Sequence, residues 1–435
     1  MRRERICFGL IMLVGLCLRL ALGVYRPSDL TSDNDGYLAH AHPFAEGRGY
    51  LGPYSDRPTA FRPPAYPVAL GILIAIGCSD RVAVAVISAV SSVLILWLTK
   101  TLAQQSGLTL HFQFLAVSGV ALDPLLVRYA VLPMTEVPCT AVLLAAVLLF
   151  RSTKEYGRPE NRRAVIAGVL FGLGTLIRPV ILISCVFLSL HRFLRVARVP
   201  PTGATSTIAA RCRILLPGVV AGLVLLPWVV RNAVQLQSFV PATTHGGYTL
   251  ALGNNPNFYR DVINGDDDFP WNGAALDAWQ RRMIDQSKES GVEQVNESAS
   301  DEWYYQQAFA AIRAEPASFL KAVALRLRRF WALTAAESQT GVVVSAVIGV
   351  WYVLIWTGLV WDRLSVFWLR KTGCYKSLTD LWLVVLSFML MHSVYWTDAR
   401  MRAPIMPILI VLSLSGWQSI VNWCRCHQGV SGTNQ

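Results

Sequence analysis

An all-α polytopic membrane protein is the fold class this sequence predicts, with about 10–12 transmembrane helices joined by interfacial and external helices. Three observations carry that prediction. Of the 435 residues, 54% are hydrophobic and only 15% charged, far too little charge to cover the surface of a water-soluble domain of this length. Several apolar runs approach the roughly 20 residues that cross a hydrocarbon core. The formal charge of +12 is concentrated in alternate loops, as expected of a chain that threads a bilayer.

Residues 6–25 form the first span. A basic start followed by an apolar run also suits a signal peptide, but this run is long, is interrupted by Arg19 and lacks a small-residue cleavage site. Residues 26–66 are polar, with prolines at 27, 43, 53, 58, 63 and 64. "YPVALGILIAIG" is too short to cross comfortably and reads as a half-buried or re-entrant helix. Spans follow at 81–98, 112–131, 138–150, 164–177, 180–190 and 214–230, then near 341–361, 379–396 and 403–423. A polar stretch covers 231–320. The expected units are an N-terminal transmembrane module, 1–230, an external helical segment, 231–340, and C-terminal transmembrane helices, 341–435.

Charge sets the expected orientation. With the N-terminus in the cytoplasm, the inside loops carry Arg2, Arg3, Lys100, Arg151, Lys154, Arg192, Arg363, Arg370, Lys371 and Lys376. The 231–320 stretch, placed outside, carries the acids Asp261, Asp266, Asp267, Asp268, Glu293, Glu297 and Asp301. The expected location is the inner or plasma membrane, with any active site on the external face. No aromatic-interleaved basic patch is present, which argues against a nucleic-acid partner. The nine cysteines lie in apolar runs or basic segments and none falls within 231–320, so no disulfide framework is expected.

This orientation gathers "TSDND", "FRPP", "LPMTE", "IRP", "PWVVRN" and "TDARMRAP" on one side. Asp33 and Asp35 follow the first span and suit either helix capping or acid–base chemistry. Tyr37, Ala41 and Phe44 continue one helical face, as in a helix lying on the bilayer surface. Glu136 stands at the external start of a span between Pro133 and Pro138, where irregular backbone lines cavities. Arg62, Arg178, Arg231, Arg400 and Arg402 mark external span ends. A guanidinium can hold two phosphate oxygens at once. Snorkelling explains any one of these arginines; five together on the non-cytoplasmic face run against the usual inside preference. The histidines show no metal-ligand spacing. "NES" at 296–298 is a glycosylation-type tripeptide of incidental character.

The ordered set "DNDGYLAHAHPFAEGRGY…FRPPAYP", "LPMTE", "GVLFGLGTLIRP", "LPWVVRN", "THGGYTLALGNNP" and "ARMRAPIMPILI" resembles glycosyltransferase family 39, which includes protein O-mannosyltransferases and the aminoarabinose transferases acting on lipid A. The resemblance covers nearly the whole chain and implies a GT-C fold, a polyprenyl-phosphate sugar donor, and a protein, lipid or glycan acceptor on the non-cytoplasmic face. It implies an active-site acid in the first external loop, at Asp33 or Asp35, and a second at Glu136. It implies basic positions at Arg178, Arg231, Arg400 and Arg402. The family usually has Asp-Glu where this chain has Asp33-Asn34-Asp35, and often Arg-Tyr where this chain has Arg400-Met401.

The reaction so implied is an inverting displacement at the anomeric carbon, with Asp33 or Asp35 as base, arginines on the phosphate, and Glu136 orienting the acceptor or completing the pocket. No cofactor motif is present, and a divalent cation is left open. Trp271, Trp303 and Tyr304 of the 231–320 segment suit either sugar stacking or ordinary packing. Two rivals share the architecture: a lipid-linked glycan polymerase or ligase, and a transporter or flippase. A transporter needs mid-span charge and usually repeated halves; Asp123 is its main candidate, and no internal repeat is evident.

Overall fold

The structure is a computed structural model that describes residues 2–431 except 54, 153–157, 199–206, 266–270, 272, 292–295, 335–340 and 370–377. Lys154, Arg370, Lys371, Lys376, Asp266, Asp267, Asp268 and Glu293, used above for orientation, lie outside the described residues. Those described are helical with no strand, and their isolated β-bridge joins Leu51 to Pro58. The protein is an all-α polytopic membrane protein.

Helix α1 (Arg2–Tyr25) leads into a polar loop that contains α2 (Tyr37–Ala45), followed by α3 (Ala65–Ala75) and the long α4 (Asp80–Gln105). The expected third span is broken into α5 (Leu110–Leu122) and α6 (Pro124–Tyr129). Then come α7 (Glu136–Ser152), α8 (Arg158–Thr175), α9 (Val180–Arg198) and α10 (Thr207–Leu236). An outer layer is built from α11 (Gly246–Gly253), α12 (Pro256–Phe258), α13 (Gly273–Glu289), α14 (Glu297–Ala314) and α15 (Pro316–Phe330). The chain ends with α16 (Val342–Leu369), α17 (Thr379–Val394) and α18 (Met406–Ser431).

Among the described residues, five helical stretches are long and apolar enough to cross a membrane: Arg2–Tyr25, Asp80–Gln105, Cys212–Leu236, Val342–Val366 and Ala399–Cys424. The other expected spans are shorter or carry charged ends, and pack among these five. Helix α7 is the central one. Val137, Leu143, Leu144, Val147 and Phe150 along it are all buried, and the less buried residues Val142, Ala145 and Leu149 share one face.

The break between α5 and α6 shows how the sequence handles a polar interruption at depth. Pro124 has no N–H to offer Val120 O. Arg19 of α1 supplies donors at the break, to Val120 O at 3.1 Å and Ala121 O at 2.8 Å, and also donates to Gly15 O of its own helix at 2.8 Å. Asp123 caps α6 by accepting from Leu126 N at 3.1 Å. The acid considered for ion transport thus has a structural partner in the helix it starts.

Helix α2 corrects the surface-helix expectation. Tyr37, Leu38 and Ala41 are buried with Tyr66 and Leu70 of α3, and a side chain at Gly71 would strike Phe44 and Ala41 O. That face meets protein, not lipid. The outer layer has its own core around Phe258, Tyr259, Trp271 and Trp279. It is fixed to the end of α17 by Asn254 Nδ2 to Val394 O, 3.0 Å, and Arg326 Nη1 to Ser393 O, 2.9 Å.

Candidate active site

The candidate site forms where several helices end, beneath the outer layer. Local chemistry places each member. Arg178 follows the last turn of α8, its N–H bonded to Gly174 O at 2.7 Å, and Pro179, with its preset φ, stands immediately before α9. Glu136 opens α7 after the Pro133 turn. Arg400 opens a 3₁₀ segment, Ala399–Ile405, capped by Asp398, whose Oδ1 accepts from Arg400 N at 2.9 Å. Arg62 precedes Pro63 and Pro64, on a loop that has no regular hydrogen-bond ladder.

These groups converge. Arg178 Nη2 donates to Glu136 Oε1 at 2.5 Å, and its Nε donates to Thr135 Oγ1 at 2.8 Å. Arg400 Nε lies 3.9 Å from the same Glu136 oxygen and 3.8 Å from Asp398 Oδ2. Arg400 Nη1 reaches Asp35 Oδ2 at 3.4 Å, and Arg62 Nη2 reaches Asp35 Oδ1 at 3.3 Å. Arg62 Nε also donates to Asp35 O at 2.9 Å. Its guanidinium sits near the rings of Phe61, 5.1 Å, and Tyr37, 5.4 Å. Glu136 is wholly buried, whereas the side chain of Asp35 keeps 19% of its exposure and that of Arg400 24%.

Two features make this more than a closed structural network. The contacts to Asp35 are long for charge-assisted bonds. Arg400 Nε and Glu136 Oε2 are also buried without a hydrogen-bond partner among the described residues, which leaves donor and acceptor capacity in the cluster. Burial raises the Asp35 carboxyl, but Arg400, Arg62 and Arg178 together outweigh it and hold the group below its ordinary range. Burial pushes His245, packed 4.4 Å from Phe61, down to about 3 with help from Arg62, so it stays neutral.

The other expected residues lie elsewhere. Asp33 caps the start of α2, its Oδ2 accepting from Ala39 N at 2.9 Å; burial raises its carboxyl against three backbone N–H groups. Arg231 faces the first loop from α10, donating to Thr59 O at 2.6 Å and Tyr50 O at 2.8 Å. Arg402 is buried, donates to Phe330 O at 2.6 Å and lies over the Tyr352 and Trp356 rings. Neither arginine touches the carboxylates of the cluster. Trp271 is a core residue, its Nε1 donating to Leu252 O at 3.1 Å. Asn296 of "NES" is the N-cap of α14.

Sequence reasoning missed Thr135, which orients Arg178, and Asp398, which caps and pairs Arg400. Their motifs, "LPMTE" and "TDARMR", were visible, but only the fold shows which neighbouring side chain does the holding. The donor set does not fit a divalent cation. Among the described residues no group of three or more His, Cys, Asp or Glu is placed to hold a metal, and guanidiniums face both central carboxylates. An anion suits the place better.

The architecture is shared with solved structures. The chain superposes on the archaeal oligosaccharyltransferase AglB from Archaeoglobus fulgidus, in complex with an inhibitory peptide and a dolichol-phosphate, with TM-score 0.54 and 14% identity. That match covers 99% of this chain and 51% of AglB. The apo form of the same organism's oligosaccharyltransferase gives TM-score 0.58 at 13% identity over 98% of this chain and 52% of the other. The fold is GT-C. The chain spans about half the length of these GT-C structures. A looser superposition, TM-score 0.42 at 13% identity, covers 95% of this chain and 77% of ArnT from Cupriavidus metallidurans bound to undecaprenyl phosphate. No known protein-family profile matches the chain, and no curated protein matches it in sequence.

Proposed function

We propose that the protein is a membrane glycosyltransferase that moves a sugar from a polyprenyl-phosphate donor to an acceptor on the non-cytoplasmic face, with inversion. One observation carries this reading: Arg62, Arg178 and Arg400, from three distant segments, meet Asp35 and Glu136 at the common end of the apolar helices. A lipid-linked phosphate would lie at that depth. The dolichol-phosphate held by AglB on the same fold supports the donor class.

The chemistry follows from the geometry. The donor phosphate takes the guanidinium N–H groups that reach only loosely toward Asp35. That exchange weakens the pull on the Asp35 proton equilibrium, so the carboxylate becomes a better base as the donor binds. Asp35 removes the proton from the acceptor hydroxyl or amide. The acceptor atom forms its bond to the anomeric carbon from the face opposite the phosphate, and the carbon–oxygen bond to phosphate breaks. Polyprenyl phosphate leaves with the bonding electrons, and the arginines stabilise its added charge. Glu136, locked on Arg178, fixes the orientation of that guanidinium. Asp33 holds the start of α2, and Arg231 and Arg402 serve the scaffold.

The test uses the full chain in detergent with a panel of labelled polyprenyl mono- and diphosphate sugars and membrane acceptors. One monophosphate sugar should be consumed with label appearing on an acceptor. Asp35→Asn should lower transfer by about 10²–10⁴-fold, the usual worth of a positioned base, while membrane insertion is kept. Full transfer by Asp35→Asn would remove Asp35 from the reaction, and consumption of diphosphate donors alone would point to a glycan polymerase or ligase.

A further inference from the structure

We infer that Glu297 of the outer layer is a positioning residue for sugar transfer, acting through the loop that presents Arg62 to Asp35. The inference rests on the proposed reading of the site and adds a residue to it. Residues 59–62 lie in irregular backbone between the Leu51–Pro58 bridge and α3. Such a segment places a side chain accurately only if its polar groups are tied from outside.

Glu297 supplies much of that tie. At the first position of α14, its Oε2 accepts from Thr59 Oγ1 at 2.6 Å and its Oε1 from Ala60 N at 3.1 Å. The Thr244 hydroxyl donates to the same Oε1, joining the 243–245 turn to the loop. The tie continues inward: Phe61 N donates to Thr59 Oγ1 at 2.9 Å, Thr243 Oγ1 to Phe61 O at 2.5 Å, and Tyr50 OH to Arg62 O at 2.9 Å. Arg231 holds Thr59 O at 2.6 Å. The Phe61 ring is packed between His245 and the Arg62 guanidinium. Without the carboxylate, the Thr59 hydroxyl and the Ala60 N–H, three and two residues from Arg62, lose their acceptor, as does the Thr244 hydroxyl of the neighbouring turn. Its 3.3 Å reach to Asp35 then depends on a looser loop.

A positioning role differs from plain support of the outer layer in being exerted through Arg62. The experiment is therefore a double-mutant cycle on the full chain in detergent, reading the affinity for undecaprenyl phosphate. Arg62→Ala should weaken binding by about 10–100-fold, the loss expected when one partner of a charge-assisted contact is removed. Glu297→Ala should weaken it by about 5–10-fold, and the double variant should bind no more weakly than Arg62→Ala, because coupled sites are non-additive. Asp301→Ala, one turn along α14, removes the side-chain oxygen that accepts from Gly247 N at 2.6 Å. It should lower thermal stability without changing affinity. Independent, additive losses from Arg62 and Glu297 overturn the inference, as does an equal affinity loss in Asp301→Ala. If Glu297→Ala fails to fold, Thr59→Val removes the first link of the tie and carries the same cycle with the same outcomes. Unchanged affinity in both Arg62→Ala and Arg178→Ala is a separate result that overturns the phosphate-site reading itself, and the inference with it.

Discussion

Asp35 is pulled in two directions, and the balance makes its role measurable. Burial disfavours its charge, while Arg400, Arg62 and Arg178 favour it more strongly, so its pKa in the folded protein is depressed. A depressed carboxylate stays ionised as pH falls and loses its charge only below the ordinary carboxylate range. The acid limb of kcat/KM should accordingly lie below that of an unperturbed Asp. In Arg400→Gln one of the three stabilising charges is gone, so the limb should move toward neutral pH while kcat/KM at the plateau falls. An acid limb at the same pH in Arg400→Gln would show that Asp35 does not control it. The sequence could not choose between Asp33 and Asp35, because acids two residues apart after a span have the same composition and charge. Their difference arises where Gly36, with φ of 75°, turns the chain into α2. One carboxylate then faces the helix N–H groups and the other faces the arginines.

At the scale of elements, helix positions were legible and helix partners were not. The apolar runs marked α1, α4, α10, α16 and α18, since length and hydropathy are local properties. Whether the Tyr37 face meets lipid or α3 depends on a distant segment, and the pattern of α2 is the same in both cases. Glycine spacing carried some partner information that went unread. "GVLFG" places Gly168 and Gly172 one turn apart on α8, a small-xxx-small arrangement that lets helices approach closely. They face α10, where a Cβ on Gly172 would stand 2.6 Å from Val224 Cβ and one on Gly168 would stand 2.7 Å from Pro217 O. Gly172→Ala should therefore force the helices apart and cost about 1–3 kcal/mol, as overpacking does, read as a lower unfolding temperature in detergent. Gly222→Ala on α10 is the control, since nothing lies within 4 Å of its added carbon. Equal stability of the two variants would mean that the α8–α10 approach is not tight.

For the whole molecule, the orientation in the bilayer decides where the proposed chemistry takes place. At one end Arg151 meets Asp380 at 2.9 Å and Gln105 meets Ser152 at 3.0 Å, close to Lys100 on the same helix end. At the other end lie the outer layer, its acids and the candidate site. The proposed orientation puts the Arg151 end in the cytoplasm, following the positive-inside rule, so that a donor phosphate at Arg62, Arg178 and Arg400 would face outward. Phe239, 79% exposed beside the outer layer, and Gln104, exposed at the last turn of α4, report the two ends. In a cysteine-free background, Phe239→Cys should react with a membrane-impermeant maleimide in intact cells, and Gln104→Cys should react only after permeabilisation. The reverse pattern would turn the molecule over. The arginine–carboxylate cluster would then face the cytoplasm, and a sugar donor would be met before it crosses the membrane. The proposed chemistry at Asp35 would stand, but the non-cytoplasmic acceptor would not.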